Sequence, residues 1–193
     1  MLKDKLQPYK IILASGSPRR QQFFKDLDLD FEIRIKEIQE IYPENLKEAE
    51  ITNYLAELKS SAFEGEIAEN EIVITSDTLV WLNEEALGKP KDYNDAFEIL
   101  KSISNATHQV FTSVCFATKN SKKTIFDVTK VTFKKLTDHE IHYYLENYKP
   151  FDKAGAYGIQ EWIGLIGITK IEGSYSNVVG LPTEKVYDFL LNL

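Results

Sequence analysis

Ile11-Ile12-Leu13-Ala14-Ser15-Gly16-Ser17-Pro18-Arg19-Arg20 changes character in mid-course. A short apolar run, which reads as a buried strand, is broken by serine and glycine and gives way to helix-opening residues. Ser17 suits the N-cap and Pro18 the first helical position, so a helix is expected from Arg19 to about Leu27.

The mixture continues downstream. Phe31 to Ile35 alternates apolar and charged residues and reads as a second strand. A polar connection, Lys36 to Leu46, leads to a helix running through about Phe63, with Ile51, Tyr54, Leu55, Leu58 and Ala62 as its apolar stripe. Ile72-Val73-Ile74-Thr75 is a buried strand that runs through Ser76-Asp77-Thr78 to Leu79-Val80-Trp81, before a turn at Asn83-Glu84-Glu85. Asn94 to Ser102 reads as a helix with Phe97 and Leu100 facing inward. Val110 to Ala117 and Ile125 to Phe133 form an expected long antiparallel pair turning at Asn120-Ser121. Thr137 and Glu140 spell a capping box and start a helix to Asn147. The glycine-rich tract from Gly155 to Gly180 is expected to hold short strands, and a helix from Thr183 to Leu193 ends the chain. No repeat or low-complexity linker interrupts this order. The expectation is an α/β fold, a central twisted mixed sheet with flanking helices, in one domain over 1–193 with two lobes around a substrate cleft.

The chain has 193 residues, 43% of them hydrophobic and 27% charged, a globular rather than disordered balance. A net charge of −7 disfavours a nucleic-acid polymer as partner, yet allows a small anion at a local basic cluster. Cys115 is the only cysteine, so an intramolecular disulfide and Cys-rich zinc sites are excluded, and it reads as a buried small hydrophobe. Met1 to Lys10 is charged and lacks the apolar core of a signal peptide, and no window approaches the length of a membrane span. A cytoplasmic location is expected.

Arg19 and Arg20 sit in the first helical turn, against the macrodipole, which favours acidic residues there. Guanidinium groups beside free backbone amides form a frustrated arrangement until an anion arrives, and phosphate is its natural guest. Two arginines pointing into solvent is the plainer reading of the same pair. No Gly-Lys-Ser/Thr follows, so this is not a Walker loop. Asp77 ends an apolar strand, where open α/β folds place their ligands, and suits a metal ligand or general base as well as a turn residue. Lys59 borders the helix's apolar stripe. Lys89 lies in the stiff Gly88-Lys89-Pro90 turn, and Lys153 precedes Ala154-Gly155. His139 and His142 share a helix without an acidic or sulfur partner, so they read as structural or exposed.

Taken together, Leu13 to Arg20, Ser76-Asp77-Thr78, Gly88-Lys89-Pro90, Asp152 to Gln160 and Gly173 to Pro182 resemble, in the same order, the motifs of the Maf-like nucleotide pyrophosphatases. The resemblance covers nearly the full length. It implies an α/β fold related in shape to the inosine triphosphate pyrophosphatases, often homodimeric. It also implies Mg²⁺- or Mn²⁺-dependent hydrolysis between the α and β phosphates of a nucleoside triphosphate. Asp77 falls on the family's catalytic acidic position and Glu40 on an upstream acidic one, the pair implied to hold metal. Lys59 and Lys89 fall on its phosphate-handling lysines. Ser15, Ser17, Arg19 and Lys153 lie in the matching stretches and are expected at the substrate. The resemblance is to the branch acting on dTTP and UTP, since Arg20, Thr78 and Gln160 fill that branch's marks; an amide at Gln160 matches a pyrimidine edge. Ser76 and Ser60 stand where alanine is usual, and Gln39-Glu40 replaces a more common Asp-Glu pair. Two other readings stay open: a pyrophosphatase of modified purine triphosphates, and a regulatory nucleotide-binding module linked to cell division.

Overall fold

The computed structural model describes residues 2–193. After a short helix α1 (Leu2–Lys5), strand β1 (Lys10–Leu13) leads into helix α2 (Pro18–Asp26), capped by Ser17. Then come β2 (Phe31–Ile33), helix α3 (Ala49–Ser61), the long strand β3 (Glu71–Leu82), β4 (Glu85–Leu87) and helix α4 (Tyr93–Ile103). β5 (Thr107–Ala117) and β6 (Lys122–Phe133) precede helix α5 (Asp138–Tyr148). A 3-10 turn (Ala154–Ala156), α6 (Trp162–Gly167), β7 (Ile168–Glu172), α7 (Tyr175–Val179) and α8 (Thr183–Leu191) complete the order.

The strands form one mixed sheet in the order β2-β1-β3-β5-β6-β7, with β4 on β3. β1 pairs in parallel with β2 and β3, Ile11 opposite Ile72 and Leu13 opposite Ile74, whereas β3–β4 and β6–β7 are antiparallel. The β3–β4 turn places Asn83 and Glu84 at φ of 51° and 64°, the left-handed pair that a tight hairpin requires. β5 and β6 are joined by a hairpin, closed by the Thr118 N–H on the Ser121 carbonyl at 2.8 Å.

By contacts the chain divides into two compact units. The first comprises Met1–Asp77, Thr112–Asp127 and Gly180–Leu193; the second comprises Thr78–Phe111 and Val128–Val179. In the first unit β1 is buried on both faces, as parallel strands are. Ile11 and Leu13 join Phe24, Ile72, Ile74, Phe116, Val186 and Leu190 in one core; Ile12 joins Phe63, Ile67, Val73 and Ala117 in another. In the second unit Leu100, Ile103, Val131, Ile141, Tyr144 and Ile163 are buried. Cys115 is fully buried.

Three expectations are corrected. The glycine-rich tract holds one strand, β7, and otherwise short helices, because its glycines serve close approaches rather than a pleat. On α3, Tyr54 is exposed and the inward face is Ile51, Thr52, Leu55, Ala56 and Ser60; Thr52 and Ser60 carry hydroxyls that apolar periodicity passes over. The continuous strand expected from Ile72 to Trp81 is present as β3, so Asp77 lies inside an interior strand of the sheet rather than at the strand end where open α/β folds place their ligands. Among the described residues no helix is long and apolar enough to cross a membrane.

Candidate active site

In the first unit the register of α3 on β3 places the charged groups. The buried Thr75 hydroxyl donates to the Ala56 carbonyl at 2.6 Å, pinning helix to strand. Asp77 lies two residues along the strand from Thr75, and so on the same face. Lys59 lies three residues along the helix from Ala56, on the same side. Lys59 Nζ thereby reaches Asp77 Oδ1 at 2.6 Å and Glu40 Oε1 at 3.0 Å. The lysine and aspartate side chains retain 18% and 11% of their exposure and the glutamate 42%, so the cluster is half sheltered and open on the Glu40 side.

The turn between β1 and α2 adjoins this cluster electrostatically. Ser17 Oγ accepts the Arg20 N–H, and the Ser17 N–H is directed at Ser15 Oγ at 3.3 Å. Gln21 Nε2 donates to the Ser15 carbonyl at 3.1 Å. Arg20 departs from the frustrated picture. Its Nε donates to the Gly180 carbonyl at 2.8 Å, and Nη1 to the Ser76 carbonyl at 3.1 Å, so its guanidinium ties the turn to β3 and to the start of the last segment. Burial presses the Arg20 pKa down, while the Asp77 and Glu40 carboxylates oppose that and Arg19 adds to it. Arg19 is half-buried in the same turn.

The second unit holds the remaining expected residues. The Gly155 N–H donates to the Gly88 carbonyl at 3.1 Å, which brings the Gly88-Lys89-Pro90 turn beside the segment that carries Lys153. Gly155 has φ of 71°, and a Cβ there would lie 2.7 Å from Val80 Cγ2, so the approach needs glycine. Lys89 and Gln160 are exposed, and Thr78 is half-buried. Lys153 pairs with Asp152 at 2.8 Å and Glu161 at 3.2 Å. The Tyr144 hydroxyl donates to Glu161, and burial together with that carboxylate pushes the phenol pKa up. Tyr144 and Glu161 were not legible in the sequence: they lie on different elements, and a Tyr–Glu pair has no spacing signature. Gly173, at φ of 127°, packs against Thr129, and Asn177 Nδ2 donates to the Val110 carbonyl at 3.0 Å and to Thr129 Oγ1 at 2.9 Å. These bonds anchor that part of the motif to β5 and β6.

Among the described residues no group of three or more His, Cys, Asp or Glu side chains is arranged to cage a metal. His139 is exposed, and His142 Nδ1 is engaged by the Tyr93 hydroxyl at 2.7 Å. Glu40 and Asp77 nevertheless bring oxygen donors around one cationic point, the Lys59 ammonium. A hard divalent ion fits that donor set if water and substrate phosphates complete its shell.

The family model described as Maf-like protein matches residues 10–193. The dTTP/UTP pyrophosphatase of Flavobacterium psychrophilum is 69% identical over 192 residues, covering 100% of this chain and 98% of that protein. The protein of the same name from Flavobacterium johnsoniae is 68% identical, covering 100% of both. That from Christiangramia forsetii is 55% identical, covering 98% of this chain and 97% of its own. Among solved structures, a nucleoside-triphosphatase, dITP/XTP pyrophosphatase, of Mycobacterium abscessus is 11% identical with a TM-score of 0.47, covering 93% of this chain and 92% of that one. That likeness is too distant to bear on substrate or mechanism. With motifs in order, a family model matched almost end to end and relatives this similar, the chain belongs to the Maf-like protein family.

Proposed function

We propose that this chain hydrolyses dTTP and UTP to the monophosphate and pyrophosphate. The observation that carries the reading is the Lys59 ammonium held between Asp77 and Glu40, two carboxylates that also act electrostatically on Arg20. Relatives named dTTP/UTP pyrophosphatase at 55–69% identity supply the substrate class.

Water attacks the α-phosphorus in line; the new Pα–O bond forms as the bridging Pα–O–Pβ bond breaks, and pyrophosphate leaves with the electron pair. Asp77, whose Oδ1 is on Lys59, orients that water or takes its proton through the other oxygen. Lys59, Lys89, Lys153 and Arg19, with the α2 amides and the Ser15 and Ser17 hydroxyls, neutralise charge on the phosphate oxygens. Arg20 acts by its charge and by fixing the turn, since two carbonyls already hold its guanidinium. Gln160 reads the pyrimidine edge and Thr78 supports the same selection. Glu40 and Asp77 would hold a Mg²⁺ or Mn²⁺ ion brought in with the nucleotide, and that ion would supply charge neutralisation and a more acidic water. A homodimer in the cytoplasm is the proposed working form, and light scattering on the purified protein tests the assembly.

Incubation with Mg²⁺ and a panel of triphosphates, with products separated by chromatography, tests the reaction. Pyrophosphate with dTMP or UMP, in preference to purine products, is the expected result; preference for a modified purine would reassign the substrate. Orthophosphate with a diphosphate, or tight binding without turnover, would replace the pyrophosphatase reading with that of a binding module. Asp77→Asn should lower kcat by about 10²-fold or more while changing nucleotide affinity little. Near-normal turnover would remove Asp77 from the chemistry.

A further inference from the structure

Glu161 stands where α6 begins, yet its side chain does not cap that helix. The carboxylate turns back instead. Oε2 accepts from the Tyr144 hydroxyl, and Oε1 lies 3.2 Å from Lys153 Nζ. Tyr144 is fully buried, and its oxygen also accepts the Gly158 N–H at 3.0 Å. Gly158 and Glu161 are the two ends of a tight turn, closed by the Glu161 N–H on the Gly158 carbonyl at 3.0 Å. Gln160 is exposed at the third position of that turn. A Cβ on Gly158 would lie 2.7 Å from Glu161 Cδ, so only glycine lets the carboxylate lie over the turn.

Each link has a physical reason. A buried phenol needs an acceptor, and a charged one gives the stronger bond. Lys153 has a second acidic partner, Asp152, but that side chain is 63% exposed, and an ion pair there is screened by water. Glu161 is 25% exposed and is itself tethered by the buried Tyr144, so it is the partner able to hold the ammonium in one place. One carboxylate thus connects Lys153 to both ends of the turn that presents Gln160.

We propose that Glu161, held by Tyr144, is a positioning residue that fixes Lys153 and Gln160 together and so links the grip on the triphosphate to selection of the pyrimidine base. This deepens the pyrophosphatase reading above and rests on it. Loss of the carboxylate charge is expected to move both properties at once, whereas a residue serving stability alone would move neither in an enzyme that stays folded.

Steady-state kinetics on dTTP and dGTP with wild type, Glu161→Gln, Tyr144→Phe, Lys153→Met and the Glu161→Gln/Lys153→Met pair test it. For Glu161→Gln the KM for dTTP should rise about tenfold, with a smaller fall in kcat, and preference over dGTP should fall about tenfold. Tyr144→Phe keeps the ring in the core and the Glu161–Lys153 pair; it should lose base preference with a smaller change in KM. Adding Glu161→Gln to Lys153→Met should raise KM far less than it does in wild type, since the two act as one unit. Unchanged KM and preference in a folded Glu161→Gln protein would overturn the proposal, as would a uniform loss of kcat on both nucleotides. Wild type that leaves dTTP and UTP intact would overturn the pyrophosphatase reading and this proposal with it; active wild type with an unmoved Glu161→Gln overturns the proposal alone.

Discussion

Ser76 and Asp77 are neighbours on β3, and successive strand residues face opposite ways. Asp77 meets Lys59; the Ser76 hydroxyl is turned into the interior, where the residue keeps 1% of its exposure and its Oγ has no hydrogen-bond partner among the described residues. The Ser76 carbonyl is in use, taking Arg20 Nη1, but a backbone oxygen is present whatever the side chain. An unpaired buried hydroxyl costs about 1–3 kcal/mol of desolvation. Ser76→Ala should therefore raise the unfolding free energy by about 1 kcal/mol, read from the urea midpoint at unchanged slope. A lower midpoint would mean that the hydroxyl has a partner in solution.

Among elements, α6 shows what the glycine-rich tract is for. A Cβ on Gly164 would lie 2.1 Å from the Ile159 carbonyl oxygen and 2.7 Å from its carbon, which are backbone atoms unable to step aside. Gly164→Ala must push α6 off the turn before it, at a cost of about 2–3 kcal/mol. Denaturant melts should show that loss, and a loss below about 0.5 kcal/mol would mean the turn shifts freely. The same geometry explains why the sequence points to short strands alone in a tract that holds one strand among short helices. Its glycines are fitted to atoms remote from their own local pattern, so no periodicity announces the helices between them. Capped helices were legible because their signals are local: Ser17 with Pro18 placed α2, and Thr137 with Glu140 closes a complete capping box on α5. The site follows the same division. The charged residues stood out one by one as anomalies or as matches to a resembling family. What the sequence did not carry was their pairing, Lys59 with Asp77 through the Thr75–Ala56 bond, or Lys153 with Glu161 beside Tyr144. Those pairings depend on how elements pack, and single-chain spacing has no term for it.

For the whole molecule, acid should act on the two units through different groups. In the second unit His108 keeps 1% of its exposure, its Nε2 on the Tyr157 hydroxyl at 2.8 Å and its Nδ1 without a partner among the described residues; burial pushes its pKa down to about 4. The unfolded chain takes up this proton near 6.5 and the folded one only near 4, so between those values unfolding binds protons and stability falls as acid is added. The shift corresponds to a loss on the order of 3 kcal/mol. In the first unit the Glu71 carboxylate is buried and takes Arg34 Nη2 at 2.9 Å and the Ala68 N–H at 3.2 Å, and these partners pull its pKa down to about 2. Its contribution is complete above the unfolded value of 4.5 and disappears as pH falls through about 2. Unfolding free energy measured from pH 7 to pH 2.5 should accordingly fall in two overlapping stages. His108→Gln should flatten the upper stage and Glu71→Gln the lower, whatever each does to stability at pH 7. Salt separates the causes: Arg34 is partly exposed, so 1 M NaCl should shrink the Glu71 stage, while the His108 stage, set by desolvation, should persist. A single stage that both variants leave unchanged would assign the acid sensitivity to other groups.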